Sequence, residues 1–296
     1  MNNLRGILFI TAAMAAFSIE DSFIKHLSGS VPKGQIMMIL GFGGALVFFL
    51  VALRQRTNVF SSRHFSWPLL WRTACESVAA LFFITSLSLV PITTVAAVFQ
   101  ATPLAITLGA ALFLGEQVGW RRWSAIMVGF LGVLIIIRPG MAGFDPASLF
   151  VVITVFTIAA RDLLTRLVPT ETSSTVVSFY GFFALVFASP LLMAFTGWPQ
   201  AVAGKDMLSL GAAVAFGVIG YYLIVTAMRM GEASAIMPFR YTRLLFSLIL
   251  GAWIFGESPD ALTYLGSALI IASGLYTFLR ERKLARELAS EAKAAL

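Results

Sequence analysis

Ten long apolar stretches follow one another along this chain, and they constrain its fold more than any other feature. A helix needs about 20 mostly apolar residues to cross a bilayer, where its backbone groups must hydrogen-bond internally. Short linkers that contain Gly and Pro separate the stretches. The sequence therefore predicts an all-α integral membrane protein with ten transmembrane helices. The predicted spans are residues 4–24, 34–53, 69–89, 93–114, 121–138, 147–166, 174–195, 207–228, 233–255 and 261–279.

Composition supports this class and excludes several others. The chain is 59% hydrophobic and 12% charged, whereas a soluble domain carries about 25% charged residues. The net charge of +7 comes from basic residues in short loops and at the C-terminus, so membrane topology explains it better than a nucleic-acid partner does. One cysteine, Cys75, and two histidines, His26 and His64, supply no disulfide framework and no metal-ligand set. We therefore expect no cofactor, no metal and no nucleic-acid partner.

Orientation follows from the loop Lys and Arg residues. With a cytoplasmic N-terminus, 13 of them fall inside and four outside, a strong positive-inside bias. The inside set is Arg5, Arg54, Arg56, Arg63, Arg121, Arg122, Arg166, Arg229, Arg280, Arg282, Lys283, Arg286 and Lys293, and the outside set is Lys25, Lys33, Arg138 and Lys205. Residues 1–24 contain no small-residue cleavage site, so we expect a retained first span. The sequence predicts a multi-pass protein of the inner membrane with both termini cytoplasmic.

An internal repeat relates the two halves at an offset of 141 residues. Residues 109–116 read GAALFLGE and residues 250–257 read LGAWIFGE, and the same offset carries Glu20, Asp21 and Lys25 onto Arg161, Asp162 and Arg166. Five spans per repeat is an odd number, so the second repeat must enter the membrane inverted. We predict a first five-helix repeat over residues 1–145, a second over 146–280, and a basic cytoplasmic tail over 281–296.

The paired motifs resemble those of the drug/metabolite transporter superfamily, specifically its EamA-type branch. They are the endings Gly115-Glu116 and Gly256-Glu257 and the small-residue patterns at 129–133 and 272–275. The resemblance covers essentially the whole chain. It implies a central cavity lined mainly by the first, third, fourth, sixth, eighth and ninth helices, with the fifth and tenth in packing or dimer contacts. A homodimer is therefore a possible assembly. The branch moves amino acids, nucleosides, vitamins, S-adenosylmethionine and other metabolites.

Ionisable residues inside the spans carry the remaining functional signal, because such residues need a partner or a wet cavity. Arg72 and Glu76 are four residues apart and can pair within one helix. Arg161 and Asp162 lie toward the cytoplasmic end of their span, where a structural or topological role is favoured. If transport is coupled to protons, we expect Glu20 or Asp21 to carry the proton, because Arg72 favours an ionised Glu76.

Arg240 and Arg243 share one face of the ninth helix, beside Tyr241 and shortly after Pro238. Two cations without an acid in their own helix need counter-charges from other helices or from a substrate, so both an interhelical salt bridge and a substrate-facing role stay open. Tyr221 and Tyr222 could stack on a planar ligand, although packing is an alternative. The predicted substrate-binding residues are Glu20, Asp21, Arg72, Glu76, Gln100, Thr102, Tyr221, Tyr222, Arg240, Tyr241 and Arg243.

Two classes of function fit these patterns. The first is a secondary transporter of a small metabolite, and the second is an integral-membrane enzyme that modifies lipids. The enzyme would need a His, Cys or metal-ligand cluster, and ATP-driven transport would need a P-loop; the sequence has neither pattern. A transporter is favoured and an enzyme is not. The first span resembles that of bacterial riboflavin importers, which implies riboflavin uptake, with S-adenosylmethionine or amino-acid carriers as alternatives.

Overall fold

A computed structural model describes residues 3–115, 119–141, 143–169, 171–230 and 237–294. The part of the chain that it describes is helical and contains no strand. The helices are α1 (Asn3–Leu27), α2 (Lys33–Arg54), α3 (Trp67–Leu89), α4 (Ile92–Phe99), α5 (Thr102–Phe113), α6 (Trp120–Ile137), α7 (Ser148–Arg166), α8 (Ser174–Thr196), α9 (Gly204–Met230), α10 (Thr242–Phe255) and α11 (Ala261–Ala294).

The spans agree with the predicted ones, apart from three differences. Within the described ranges, nine segments are long and apolar enough to cross a membrane, and one of them, Ile92–Phe113, comprises both α4 and α5. The predicted span 233–255 is seen as a 3₁₀ turn, Met237–Tyr241, followed by α10, and its first residues lie outside the described part. Helix α11 continues to Ala294, so the predicted tail begins as helix. The predicted fold class, a helical membrane protein, is confirmed.

The break between α4 and α5 has a local cause in Pro103. In a continuous helix the backbone N–H of residue 103 would bond to the carbonyl of Phe99, and proline has no such donor. The hydroxyl of Thr102 donates to that carbonyl instead, at 2.6 Å. The second repeat has a matching contact, in which Thr242 Oγ1 donates to the carbonyl of Phe239 at 2.6 Å. Both repeats therefore interrupt the equivalent helix, at Gln100–Ala101 in the first and at the 3₁₀ turn Met237–Tyr241 in the second.

The two repeats interlock, because each helix packs mainly on a helix of the other repeat. Helix α1 packs on α9 and α10, while α3, α4 and α5 pack on α7. We call α1, α9 and α10 unit A, and α3, α4, α5 and α7 unit B. The 141-residue offset relates the helices of unit A to those of unit B, as expected for inverted repeats. The pairs α2–α8 and α6–α11 flank the two units.

Small residues allow the closest of these contacts. A Cβ atom added to Gly132 on α6 would lie 2.6 Å from the carbonyl oxygen of Gly266 on α11, so the two backbones touch only because glycine has no side chain. Gly115 and Gly256 have a different role. Their φ angles of +67° and +63° are left-handed, a conformation that ends a helix and that glycine adopts without strain. This explains the Gly-Glu endings that mark the repeat.

The described spans alternate in direction, which gives the bundle two faces. We call the face where α1 begins the near face and the face where it ends, at Leu27, the far face. Helix α4 begins at the far face and α10 ends there, since Lys25 lies over the ring of Phe255 at 5.5 Å. Helices α7 and α11 run from the far face to the near face.

Candidate functional site: a charged cavity between the two units

A cavity of about 650 Å³ lies between unit A and unit B, a volume typical of sites for small organic molecules. The six spans that the family resemblance implied all contribute residues to its lining. Helices α2, α8 and α11 also contribute residues. The cavity reaches Arg166, the last residue of α7, at the near face. Toward the far face its lining ends at Ile24 and Ile84. The cavity therefore extends farther toward the near face than toward the far face.

The two helix breaks meet inside this cavity. The Gln100 side chain donates from Nε2 to the backbone carbonyl of Tyr241 at 3.1 Å. These two residues are 141 positions apart, so the contact joins equivalent points of the two repeats. Thr102 and Arg240 also line the cavity beside them. The site is thus built at the interruption of two helices, where backbone groups and polar side chains replace the apolar helix surface.

Arg243 has its ion-pair partner, Asp21, in unit A and two of its aromatic neighbours, Phe83 and Phe99, in unit B. Its guanidinium donates to Asp21 Oδ2 at 2.7 Å, and the two side chains are only 13% and 5% exposed. The rings of Phe17, Phe83 and Phe99 surround the same guanidinium, with centroid distances of 5.5, 5.6 and 4.9 Å. A buried arginine is stabilised both by its carboxylate and by aromatic faces. The salt-bridge interpretation of Arg243 therefore fits its surroundings.

A second charged group lies within unit B. Arg161 Nη1 donates to Glu76 Oε1 at 2.9 Å, and Arg161 Nη2 contacts Asp162 Oδ1 at 2.8 Å. Arg72 lies 3.5 Å from Glu76, which is the pairing within one helix that the spacing predicts, and its Nε donates to Thr165 at 3.0 Å. These contacts tie α3 to α7 and satisfy most of the charge that the two helices bury.

Glu20 and Arg240 differ from the other charged residues of the cavity. Both line it, yet neither has an ion-pair partner among the residues that the structure describes. The carboxylate of Glu20 lies against Gly217 of α9, in space that a larger side chain at 217 would occupy. Opposite charges without local partners in one cavity are the groups most available to a substrate or a coupling ion.

The structure brings nine of the eleven predicted site residues to the cavity and leaves two outside it. Tyr222 is 63% exposed on the outer surface of α9, because neighbouring residues of a helix point in different directions and Tyr221 faces inward. Arg72 is buried behind the cavity, where it supports Glu76. The nine that line it are Glu20, Asp21, Glu76, Gln100, Thr102, Tyr221, Arg240, Tyr241 and Arg243.

Sequence reasoning missed the aromatic residues around Arg243 and the role of two far-face charges. Lys25 enters the topology count and the repeat, and Glu257 enters the repeated Gly-Glu ending, but the sequence alone assigns neither side chain a role in the bundle. In the structure Glu257 accepts hydrogen bonds from the first residues of α4, in the other repeat. The 141-residue repeat, which pairs Lys25 with Arg166 and Glu257 with Glu116, was the available signal.

Comparison with known proteins decides the family. The profile of the EamA-like transporter family matches the chain twice, over residues 4–138 and 145–279. The chain belongs to the EamA-like transporter family. The two matches together span most of the sequence, so this EamA-like protein is a multi-pass membrane transporter. The resemblance inferred from the paired Gly-Glu endings is thereby confirmed.

Relatives of this EamA-like transporter carry names that state different substrates. A riboflavin transporter of Rhizobium johnstonii is 29% identical over 95% of this chain and 93% of its own. An S-adenosylmethionine uptake transporter of Rickettsia prowazekii is 26% identical over 95% and 94% of the two chains. A pseudopaline exporter of Pseudomonas aeruginosa is 24% identical over 90% and 94%. A solved crystal structure with 20% identity covers 94% of this chain and 98% of its own, with a TM-score of 0.64, and supports the fold.

Proposed function

We propose that this EamA-like protein is a secondary transporter that takes up riboflavin by alternating access. The observation that carries the proposal is the aromatic lining of the cavity between the two units. Seven aromatic side chains line it together with the amide of Gln100 and the hydroxyl of Thr102, which suits a planar ring system with polar edges. The seven are Phe17, Phe83, Phe99, Phe182, Tyr221, Tyr241 and Phe278. The riboflavin transporters among its relatives support the same substrate.

A second candidate substrate is S-adenosylmethionine, and a different observation favours it. Glu20 and Arg240 are a carboxylate and a guanidinium without ion-pair partners among the described residues. S-adenosylmethionine carries cationic and anionic groups together with a stacking adenine, whereas riboflavin is uncharged. If these two side chains bind substrate charges, the second candidate takes precedence.

Uptake into proteoliposomes separates the candidates. We expect saturable uptake of labelled riboflavin that unlabelled riboflavin inhibits and S-adenosylmethionine does not. Tyr221→Ala should raise the KM for riboflavin about tenfold, because a stacked base is worth about 1–3 kcal/mol. The matched control is Tyr222→Ala, which removes the same ring from the outer surface of α9. Uptake of S-adenosylmethionine without riboflavin would reverse the order of the candidates, and uptake of neither would refute both.

We also propose that the protein lies in the inner membrane with both termini in the cytoplasm. The proposal rests on the 13-to-4 distribution of loop Lys and Arg and on the even number of spans. A C-terminal tag should stay protected from an impermeant reagent in intact cells and react after the cells are opened. A tag that reacts in intact cells would contradict this orientation.

A further inference from the structure

A layer of polar contacts crosses the bundle at the far face. Glu257 accepts hydrogen bonds from the backbone N–H groups of Ile92 and Thr93, at 2.8 and 3.0 Å, and from the Thr93 hydroxyl at 2.8 Å. These N–H groups belong to the first turn of α4, where no helical acceptor exists for them and where a negative charge is stabilised. A residue that follows α10 of the second repeat thus caps the broken helix of the first.

Lys25 completes this layer from α1. Its Nζ donates to the carbonyl oxygens of Val90 and Leu87 at 2.7 and 3.3 Å and lies 3.7 Å from Glu257 Oε1. The Gly-Glu ending explains the geometry, since the left-handed turn at Gly256 ends α10 and the Glu257 N–H bonds back to Gly251. The layer also needs Gly251 itself, because a Cβ there would lie 2.6 Å from the methyl group of Thr93.

The two charged side chains belong to one unit and the groups they bind belong to the other. Lys25 lies on α1 and Glu257 directly follows α10, both in unit A. Their hydrogen-bond partners lie at the end of α3 and the start of α4, in unit B. The cavity lining ends at Ile24 and Ile84, one residue before Lys25 and three before Leu87. The layer therefore joins the two units at the closed end of the cavity.

We propose that Lys25 and Glu257 form the far-face gate of the transporter and position α4 in the state seen here. The inference rests on the proposed alternating-access function, because a gate has a role only if the cavity opens to both faces in turn. Opening to the far face separates unit A from unit B between Glu257 and the start of α4, while Lys25 and Glu257 move together. The N–H groups of Ile92 and Thr93 and the carboxylate then face water, which replaces their hydrogen bonds.

The internal repeat supplies the same chemistry for the near face. The 141-residue offset carries Lys25 onto Arg166 and Glu257 onto Glu116. Arg166 lines the near end of the cavity, and Glu116 lies outside the described residues. The repeat thus places a base and an acid at the equivalent positions of the other half, as inverted repeats imply.

Labelling of a cavity cysteine tests the gate without a substrate. Cys75 is the single cysteine of the sequence, so Cys75→Ser provides a background for the reporter Ala80→Cys, which lies in the cavity lining. Sealed vesicles of each orientation are treated with an impermeant maleimide. In Glu257→Gln and Lys25→Met we expect labelling from the far side to become about tenfold faster, because losing a hydrogen bond to a charged group shifts a two-state equilibrium by roughly that factor.

The matched control is Asp260→Asn, another far-face acid. Asp260 caps α11 and pairs with Arg138 at the end of α6, outside both units. Its replacement should leave far-side labelling at the rate of the background protein. Labelling that stays slow in both gate variants, in protein that elutes as a folded species, would overturn the proposal, as would equal acceleration in the control.

A reversible cross-link gives a second test that does not depend on weakening the fold. Thr93→Cys and Glu257→Cys together place thiols on the two sides of the gate, because the native side chains touch at 2.8 Å. In the Cys75→Ser background, a short, reductively cleavable cross-linker that reacts with both thiols should stop uptake, and reduction should restore it to the rate of the same variant before cross-linking. Full uptake by the cross-linked protein would overturn the gate. Faster far-side labelling without uptake of any tested substrate would instead overturn the proposed substrates and leave the gate standing.

Discussion

Replacing Arg243 by Ala removes one partner of the buried ion pair between Arg243 and Asp21, which joins α10 to α1 within unit A. Asp21 would keep a carboxylate that is 5% exposed and lies 2.7 Å from the missing guanidinium. Breaking a buried pair in this way costs about 3–5 kcal/mol. The lost contacts with Phe17, Phe83 and Phe99 add about 0.5–1 kcal/mol each. The total is a large part of the roughly 5–15 kcal/mol that holds a typical protein folded.

Arg240→Ala is the matched comparison, three residues away in the same segment. Arg240 has no ion-pair partner among the described residues, so its removal strands no carboxylate there. We expect a thermal midpoint at or above that of the wild-type protein, combined with a loss of uptake, because the side chain lines the cavity. Arg243→Ala should lose both stability and uptake. The double variant Asp21→Ala/Arg243→Ala should be more stable than Arg243→Ala, because it leaves no unpaired charge.

Thermal unfolding in detergent and uptake in liposomes at equal protein content measure the two effects. The reasoning fails if Arg243→Ala unfolds at the wild-type temperature, since that would show that the pair with Asp21 contributes nothing. If Arg240→Ala transports at the wild-type rate, Arg240 has no part in substrate binding. Arg243→Lys should recover only part of the stability, because lysine keeps the charge but lacks the planar fork.

Two further predictions concern acids. Glu20→Gln should abolish any acceleration of uptake by an inward proton gradient, because Glu20 is a cavity carboxyl without an ion-pair partner among the described residues. Uptake that ignores the gradient in the wild-type protein would remove the hypothesis. At the far face, the guanidinium of Arg138, with Thr263, lowers the pKa of Asp260 from 3.8 to about 2. A lowered pKa stabilises the folded state above pH 3.8, and this contribution disappears as the pH falls toward 2. The thermal midpoint of Asp260→Asn should therefore approach that of the wild-type protein over that range, and a constant difference would contradict the pairing.

The spans, their order and the repeat could be predicted because membrane insertion imposes them on local sequence. Length and apolarity define a span, and the Gly-Glu endings mark equivalent helix ends. The pairing of Arg72 with Glu76 followed from helix geometry alone. Each of these features depends on residues that are close in the sequence, or on a fixed offset between two copies.

The partners across the bundle could not be predicted in the same way. Nothing local shows that Arg243 pairs with Asp21 while Arg240 has no such partner, because that depends on which faces of α1 and α10 meet. Tyr221 and Tyr222 are the same type of residue, and they differ only in the side of α9 to which their side chains point. The break at Gln100 could have been expected from Pro103, since a proline inside an apolar span removes one helical hydrogen bond.

Each buried ion pair of the cavity joins helices of the same unit. Among the described residues, Asp21 and Arg243 pair inside unit A, and Arg72, Glu76, Arg161 and Asp162 associate inside unit B. In the proposed cycle these buried ion pairs can stay intact while one unit moves against the other, so no unpaired charge is exposed, and Arg243 loses only its contacts with the Phe83 and Phe99 rings of unit B. The contacts of Lys25 and Glu257 with α3 and α4 are of another kind, since they join the two units through backbone groups and one hydroxyl. Water can replace such partners when the units separate, and this makes the far-face layer the place where the cycle can open.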